Sequence, residues 1–272
     1  MKKTMLYIEQ IFFSRIFRMV KRNFISPIKI KKSSFNTDSL NIDNLHNQYS
    51  SATPFPSIFI DGIFNESVLN KVLNDFPLPT DLKSNRWGGT SINKIQEGKI
   101  GTSNLSDYPS TILDLIFELS STKFLIFLSK ITGIRGLIPD PYLYGAGINQ
   151  VLSGGFLKVH ADFNIHPVMK TYRALNVLIY LNKDWEDSFG GHLELWDKEM
   201  KSCQKKIAPH FNRVAIFTTN ATSYHGFPSP CKQPNHITRK AINLYYYTME
   251  PTNGVMKESH STLWQEIPHR TM

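Results

Sequence analysis

The chain has 272 residues, 41% of them hydrophobic and 12% aromatic, enough for one large or two small domains with a substantial core. Its formal net charge of +9 would suit a nucleic-acid binder, but residues 1–32 hold nine Lys/Arg against the single acid Glu9, leaving 22 basic and 21 acidic residues over the remaining 240. The near-neutral body argues against a basic groove, so no nucleic acid is expected as a partner. The two cysteines, Cys203 and Cys231, are too few for a disulfide framework or a cysteine metal site.

Those cysteines read as free thiols of a reducing compartment, with a single bridge as the alternative, and the expected location is cytoplasmic. The N-terminal stretch "MLYIEQIFFSRIFRMV" places Ile8, Phe12, Ile16 and Met19/Val20 at near-helical spacing with Arg15 and Arg18 on other faces. Charges interrupt it too often for a signal peptide or a membrane span. As a basic amphipathic helix over about 5–22 it could rest on an anionic membrane surface; a helix packed on the domain is the plainer reading. Residues 33–54 are polar with few core-formers and read as a linker.

The domain is expected over 55–268. "FPSIFIDGIF" predicts a short strand ended at Asp61-Gly62, and Asn65 caps a helix whose stripe is Val68, Leu69, Val72, Leu73 and Phe76. Two more helices follow, "STILDLIFELS" and "TKFLIFLSKITG", the second running from a Thr122 cap to a Gly133 stop. Residues 85–104, Gly-rich and polar, read as a surface loop or a lid. From about 142 the texture changes to short runs rich in β-branched and aromatic residues between turn residues: "YLYGAGINQVL", "GGFLKVHAD", "RALNVLIYLN", "HLELWD", "RVAIFTT" and "KAINLYYYT". This spacing predicts an α+β, mainly β fold, with a jelly-roll core over about 142–249 and supporting N-terminal helices.

Within "GGFLKVHADFN", His160 and Asp162 stand two apart on a predicted strand and so share one face. Of the other histidines, His225 in "TTNATSYHGFPSP" is best placed to join them, just past the strand "RVAIFTT". Two imidazoles and one carboxylate on a rigid β scaffold make the facial triad of non-haem Fe(II) oxygenases, and with a bound water they also make a catalytic zinc arrangement. Arg239 opens the apolar strand "RKAINLYYYT". A guanidinium there calls for a buried anion, most naturally a carboxylate, or else sits at the rim beside a local acid.

Taken in order, "HAD" (160–162), "IYLNKDW" (179–185), "GGHLELWD" (190–197), "NRVAIFTT" (212–219), "YHGFPSP" (224–230) and "RKAINLYYYT" (239–248) resemble the 2-oxoglutarate/Fe(II)-dependent oxygenases, most closely the prolyl 4-hydroxylase-type branch. The resemblance implies a double-stranded β-helix with His160, Asp162 and His225 as iron ligands. It implies that Arg239 salt-bridges the distal carboxylate of 2-oxoglutarate and that the Tyr180 hydroxyl assists it. Asn176, four residues earlier on the same strand face, is placed to line the same pocket. The implied activity is hydroxylation of an unactivated C–H bond with O2 as cosubstrate, release of succinate and CO2, and ascorbate as reductant. A prolyl residue of a peptide and a small molecule both stay open as substrates. The stretch "GFPSPCKQPNHIT" must loop out for Arg239 to reach the pocket, with Lys240 as its competitor, while His166 is expected to pack its loop. The other readings are a zinc hydrolase, which leaves Arg239 and Tyr180 without a task, and a non-catalytic jelly-roll binding module.

Overall fold

The computed structural model describes residues 33–82, 95–252 and 258–267. The basic N-terminal segment therefore lies outside the described residues, as does the first part of the predicted lid. Among the described residues no helix is long and apolar enough to cross a membrane.

Among the described α-helices, three form where the sequence supplies a side-chain cap. Helix α1 (Ile42–Ser50) starts at Asn41, whose side chain accepts the Asn44 N–H, and α2 (Glu66–Asn74) starts at Asn65, which does the same for Ser67. Helix α3 (Ser110–Leu119) follows Pro109; α4 (Thr122–Thr132) begins at Ser121, one residue before the predicted cap, and ends at Gly133 in the left-handed conformation, φ 74°. Residues 33–54 are not a linker. Phe35 and Tyr49 are 1% and 2% exposed, Phe35 meets Phe124 edge-on at 5.2 Å, and the His46 Nδ1 lies 2.9 Å from the Ile131 carbonyl on α4. Two aromatics in a polar stretch suffice to anchor it, because each buries a large apolar area.

The strands are β1 (Ser57–Asp61), β2 (Gln96–Thr102), β3 (Ile138–Pro139), β4 (Gly147–Ala161), β5 (Tyr172–Tyr180), β6 (Leu193–Trp196), β7 (Cys203–Ile207), β8 (Arg213–Thr218), β9 (His225–Phe227), β10 (Arg239–Thr248) and β11 (Leu263–Trp264). They pair antiparallel in the order β1-β8-β5-β10-β4-β9-β6-β7, with β2 and β11 also on β4 and β3 on β10. This is the expected jelly roll. Its two halves share β4, which the sequence suggested was two strands broken at Gly154-Gly155. The first half of β4 pairs with β10 and the second with β9, so one strand lends residues to both walls of the barrel. The core beneath α3 and α4 is filled by Ile148, Val177, Ile179, Val214, Ile216, Ile242 and Leu244 among others.

Candidate active site

His160 lies near the end of β4 and His225 at the start of β9, and the two are direct partners across that ladder. Their rings stand 4.5 Å apart between centroids. Asp162, two residues past His160, completes a cluster whose candidate ligand atoms all lie within 4.8 Å of one another. The His160 Nε2 is 3.6 Å from the carboxylate and the His225 Nε2 is 3.4 Å from it.

Backbone carbonyls set the tautomers. The Nδ1 of His160 stands 2.9 Å from the Lys158 carbonyl and the Nδ1 of His225 stands 2.9 Å from the Ser223 carbonyl, so each Nδ1 carries the hydrogen it donates. Both Nε2 lone pairs therefore face the carboxylate, which is itself an acceptor. Three converging acceptors repel one another unless a cation sits among them, so the donor set fits a metal ion bound by two neutral imidazoles and one carboxylate.

The rest of the site keeps that charge state. Burial alone would raise the Asp162 carboxyl, but Arg173, His225 and His160 outweigh it and hold it well below the usual carboxylate range. Burial and the neighbouring His225 push His160 down. Arg173, 1% exposed, places its Nη2 3.0 Å from Asp162 and donates through Nε and Nη2 to the Asn176 carbonyl oxygen at 3.0 and 2.8 Å. Asn176 in turn donates its amide hydrogen to Asp162 at 2.8 Å. The guanidinium carbon lies over Tyr245, 3.4 Å from the ring centroid, and over Phe163 at 4.8 Å. Asn176 thus lines the cavity from the predicted face, and its amide is engaged with the carboxylate.

From the cluster a cavity of about 490 Å³, counting its open mouth, runs between Asn176, Leu178 and Phe217 on one side and Asn149, Phe227 and Arg239 on another. Arg239 is 2% exposed. It donates from Nε to the Gly191 carbonyl at 2.6 Å and from Nη2 to the Tyr180 hydroxyl at 3.4 Å, and it stacks on Phe227 at 4.6 Å. Among the described residues no carboxylate lies within 4 Å of it. A buried cation aimed into a cavity without a protein counter-charge fits an anionic cargo, and the planar fork suits a carboxylate. Tyr180 is fully buried, meets Arg239 through its hydroxyl and is not among the residues that line the cavity. Gly191, φ 66°, makes room for the arrangement: a Cβ there would lie 3.0 Å from the Arg239 Cδ and from the Cys231 Sγ.

The long segment after His225 does loop out. Gln233 returns its side chain to the Val151 carbonyl at 3.0 Å, and the chain re-enters at β10 with Arg239 inward. Lys240 faces away and donates to the Thr238 hydroxyl. His166 is fully buried, accepts the Val168 and Met169 N–H groups at Nδ1 and donates from Nε2 to Asp140 at 3.2 Å, so it holds its loop. Cys203 and Cys231 are both free. Two further contributors have no sequence signal: Arg173, and Trp264 of β11, which pairs opposite His160 and tilts over its ring at 4.8 Å.

Residues 146–247 match the family model described as the 2OG-Fe(II) oxygenase superfamily. No curated protein sequence matches the chain. Among solved structures, similarity extends to a prolyl hydroxylase from Trichoplax adhaerens in complex with a hypoxia inducible factor oxygen degradation domain peptide fragment. The TM-score there is 0.52 at 21% identity, over 76% of this chain and 88% of that one. Prolyl 4-hydroxylases from Phytophthora capsici (TM-score 0.49, 17% identity, 81% of this chain and 69% of that) and Pseudomonas putida (0.48, 11%, 77% and 100%) also match. What the Trichoplax adhaerens structure has in common with the chain is the fold.

Proposed function

We propose that this chain, whose residues 146–247 match the model of the 2OG-Fe(II) oxygenase superfamily, is a hydroxylase in which His160, Asp162 and His225 hold Fe(II) and Arg239 holds the distal carboxylate of 2-oxoglutarate. The bound metal and cosubstrate supply the oxidative step: with O2 they convert R–H to R–OH while 2-oxoglutarate becomes succinate and CO2. The single observation that carries this reading is the pairing of a three-acceptor cluster with a buried, carboxylate-free arginine across one cavity.

The chain's own residues have distinct tasks in it. The Lys158 and Ser223 carbonyls accept from the Nδ1 N–H groups of His160 and His225 and so turn both Nε2 atoms towards the place a metal would take. Arg173 and Asn176 fix the Asp162 carboxylate and keep it ionised. With these three ligands on one face, a bound metal would keep open positions for cosubstrate and O2. Leu178, Leu193, Phe217 and Phe227 keep water from the cavity wall, which strengthens the pairing of Arg239 with its anion. The zinc-hydrolase alternative gives that arginine no partner. A prolyl side chain or a small molecule is the substrate class this reading admits.

The test is conversion of 2-oxoglutarate to succinate by the purified full chain with Fe(II) and ascorbate, beside Asp162→Ala. Succinate from the wild type alone is the expected result. No succinate, together with no Fe(II)-dependent binding of 2-oxoglutarate, would overturn it.

A further inference from the structure

Three asparagines line the cavity, Asn149, Asn176 and Asn243, and the protein uses them unequally. Asn176 is engaged at both ends of its amide, accepting from Arg173 and donating to Asp162. Asn149, 3% exposed, donates to the Ala241 carbonyl at 3.4 Å, a long bond. Among the described residues no hydrogen bond involves the Asn243 side chain, and its Oδ1 is buried. Its lateral partners cannot serve it, since Gly147 has no side chain and Leu178 is apolar.

Register shows where the two underused amides stand. Laterally paired residues share one face of a pleated sheet. Along β10 the cavity face carries Arg239, Ala241, Asn243 and Tyr245. The first three pair with Val151, Asn149 and Gly147 on β4, and Tyr245 pairs with Asn176 on β5. Val151 has Lys99 of β2 on its other side. Asn149 and Asn243 are therefore diagonal neighbours, about 7–8 Å apart, with Ala241 and Gly147 at the other two corners. The small corners keep the space between the amides open. A Cβ on Gly147 would lie 2.6 Å from the Thr102 carbonyl oxygen and would run into the Tyr108 hydroxyl, so no larger residue fits there. The notch lies one row, or about 7 Å, from Arg239 on one side and one row from Asn176 and Tyr245 on the other. A ligand that spans the cavity from Arg239 to the His160, Asp162 and His225 cluster passes it.

We propose that Asn149 and Asn243 form a carboxamide clamp for the 2-oxo-acid end of the cosubstrate, each donating an N–H to its carboxylate, while Arg239 holds the distal carboxylate. The inference rests on the reading of the cavity as a 2-oxoglutarate site. A carboxamide nitrogen has two hydrogens, so Asn149 keeps its bond to Ala241 and still has one to give. Hydrogen bonds to an ionised carboxylate are among the stronger ones, and more so where water is excluded. Neutral donors add direction at this end, where a bound metal supplies the charge. Without a ligand the same amides are unfavourable, because apolar side chains of equal volume would leave no polar group unpaired.

The experiment titrates Mn(II)-loaded wild type, Asn149→Leu, Asn243→Leu, Asn243→Asp and Arg239→Met with 2-oxoglutarate and with 2-oxopentanoate, which keeps the 2-oxo-acid end and lacks the distal carboxylate. Calorimetry gives the affinities. Thermal melts and Mn(II) affinity by electron paramagnetic resonance establish that each variant is folded and keeps its metal site. Each leucine variant should weaken both acids by about 10–100-fold, because each removes a donor to a carboxylate. Asn243→Asp keeps the shape and exchanges donors for acceptors, so it should weaken both at least as much; it carries the test if Asn243→Leu fails to fold. Arg239→Met should weaken 2-oxoglutarate alone. Unchanged affinity for both acids in either leucine variant overturns the clamp. So does a loss confined to 2-oxoglutarate, which would put the amides at the distal end. Asn243→Asp binding as tightly as the wild type overturns it too, since the amide oxygen would then be the atom in use. A normal 2-oxoglutarate affinity in Arg239→Met would instead overturn the cosubstrate reading on which it rests.

Discussion

His160 and His225 face each other directly across the β4–β9 ladder, and each turns its Nδ1 to the carbonyl two residues earlier in the sequence. Because the relation is the same on both strands, it fixes both rings at once, with their Nε2 atoms converging on the carboxylate that follows His160. Register, more than any side-chain contact, builds the pair. A one-residue slip of β9 would turn His225 to the other face of the sheet.

Arg173 is the residue on which the charge of the cluster depends. It contacts Asp162 and Asn176 and is sealed between Phe163 and Tyr245. Arg173→Met keeps much of the volume and removes the counter-charge, leaving Asp162 to lose its ionised form more easily. Groups that orient a metal ligand are worth about 10–100-fold in metal affinity. Mn(II) titration followed by electron paramagnetic resonance should show a loss of that size at pH 7. Unchanged Mn(II) affinity would mean that Asn176 alone positions the carboxylate.

Arg239 separates function from stability. A buried guanidinium with no carboxylate within reach is costly in the empty protein, and replacement of such a charge by an apolar group is often neutral or stabilising. Arg239→Met should therefore melt at the same temperature as the wild type or higher, while its affinity for 2-oxoglutarate falls by about 10–100-fold. Differential scanning fluorimetry and calorimetry on the same samples read both. A variant that loses stability and binding together would make Arg239 a structural residue.

Lys99 gives a pH signature in the ligand-free protein. Its folded value is about 8, below the 10.5 usual for a lysine, so between these values the unfolded chain binds a proton that the folded chain does not. The penalty for keeping this lysine charged is complete below about pH 8 and is relieved as the pH rises towards 10.5. Lys99→Met should consequently melt higher than the wild type at pH 7, and the gap should narrow steadily up to pH 10. A gap that is constant across this range would mean that the folded lysine titrates normally.

The parts of the site carried by strand pattern could be read from the sequence. His160 and Asp162 two apart, a histidine after the next long strand and an arginine opening the last one are all statements about alternation, which the sheet obeys. Arg173 could not be read, because an arginine near the start of "YRALNVLIY" looks like a rim residue; only the return of the chain through residues 163–171 shows that it meets Asp162. Lys99 was hidden for a different reason. Its strand sits in a polar, Gly-rich stretch with no apolar alternation, and its inward aim depends on a bulge at Gly98 that closes against Gly155, 57 residues further along the chain. The break expected at Gly154-Gly155 proved to be a bend in one strand, since paired glycines signal a bulge as readily as a turn.

The same difficulty hid the packing of residues 33–54, where a polar composition outweighed two aromatics. Phe35 touches Phe64, Phe124 and Phe127, and Tyr49 is hydrogen bonded to Thr218 at the end of β8. Removal of a buried phenylalanine costs about 3–5 kcal/mol. Phe35→Ala should lower stability by that amount in chemical denaturation of the full chain, with the slope of the transition unchanged. A chain begun at Phe55 should be less stable still, because it loses Phe35, Tyr49 and the whole of α1 together. If Phe35→Ala cost less than about 1 kcal/mol, this segment would be a tether after all, since a residue that contributes to a packed core cannot be deleted so cheaply.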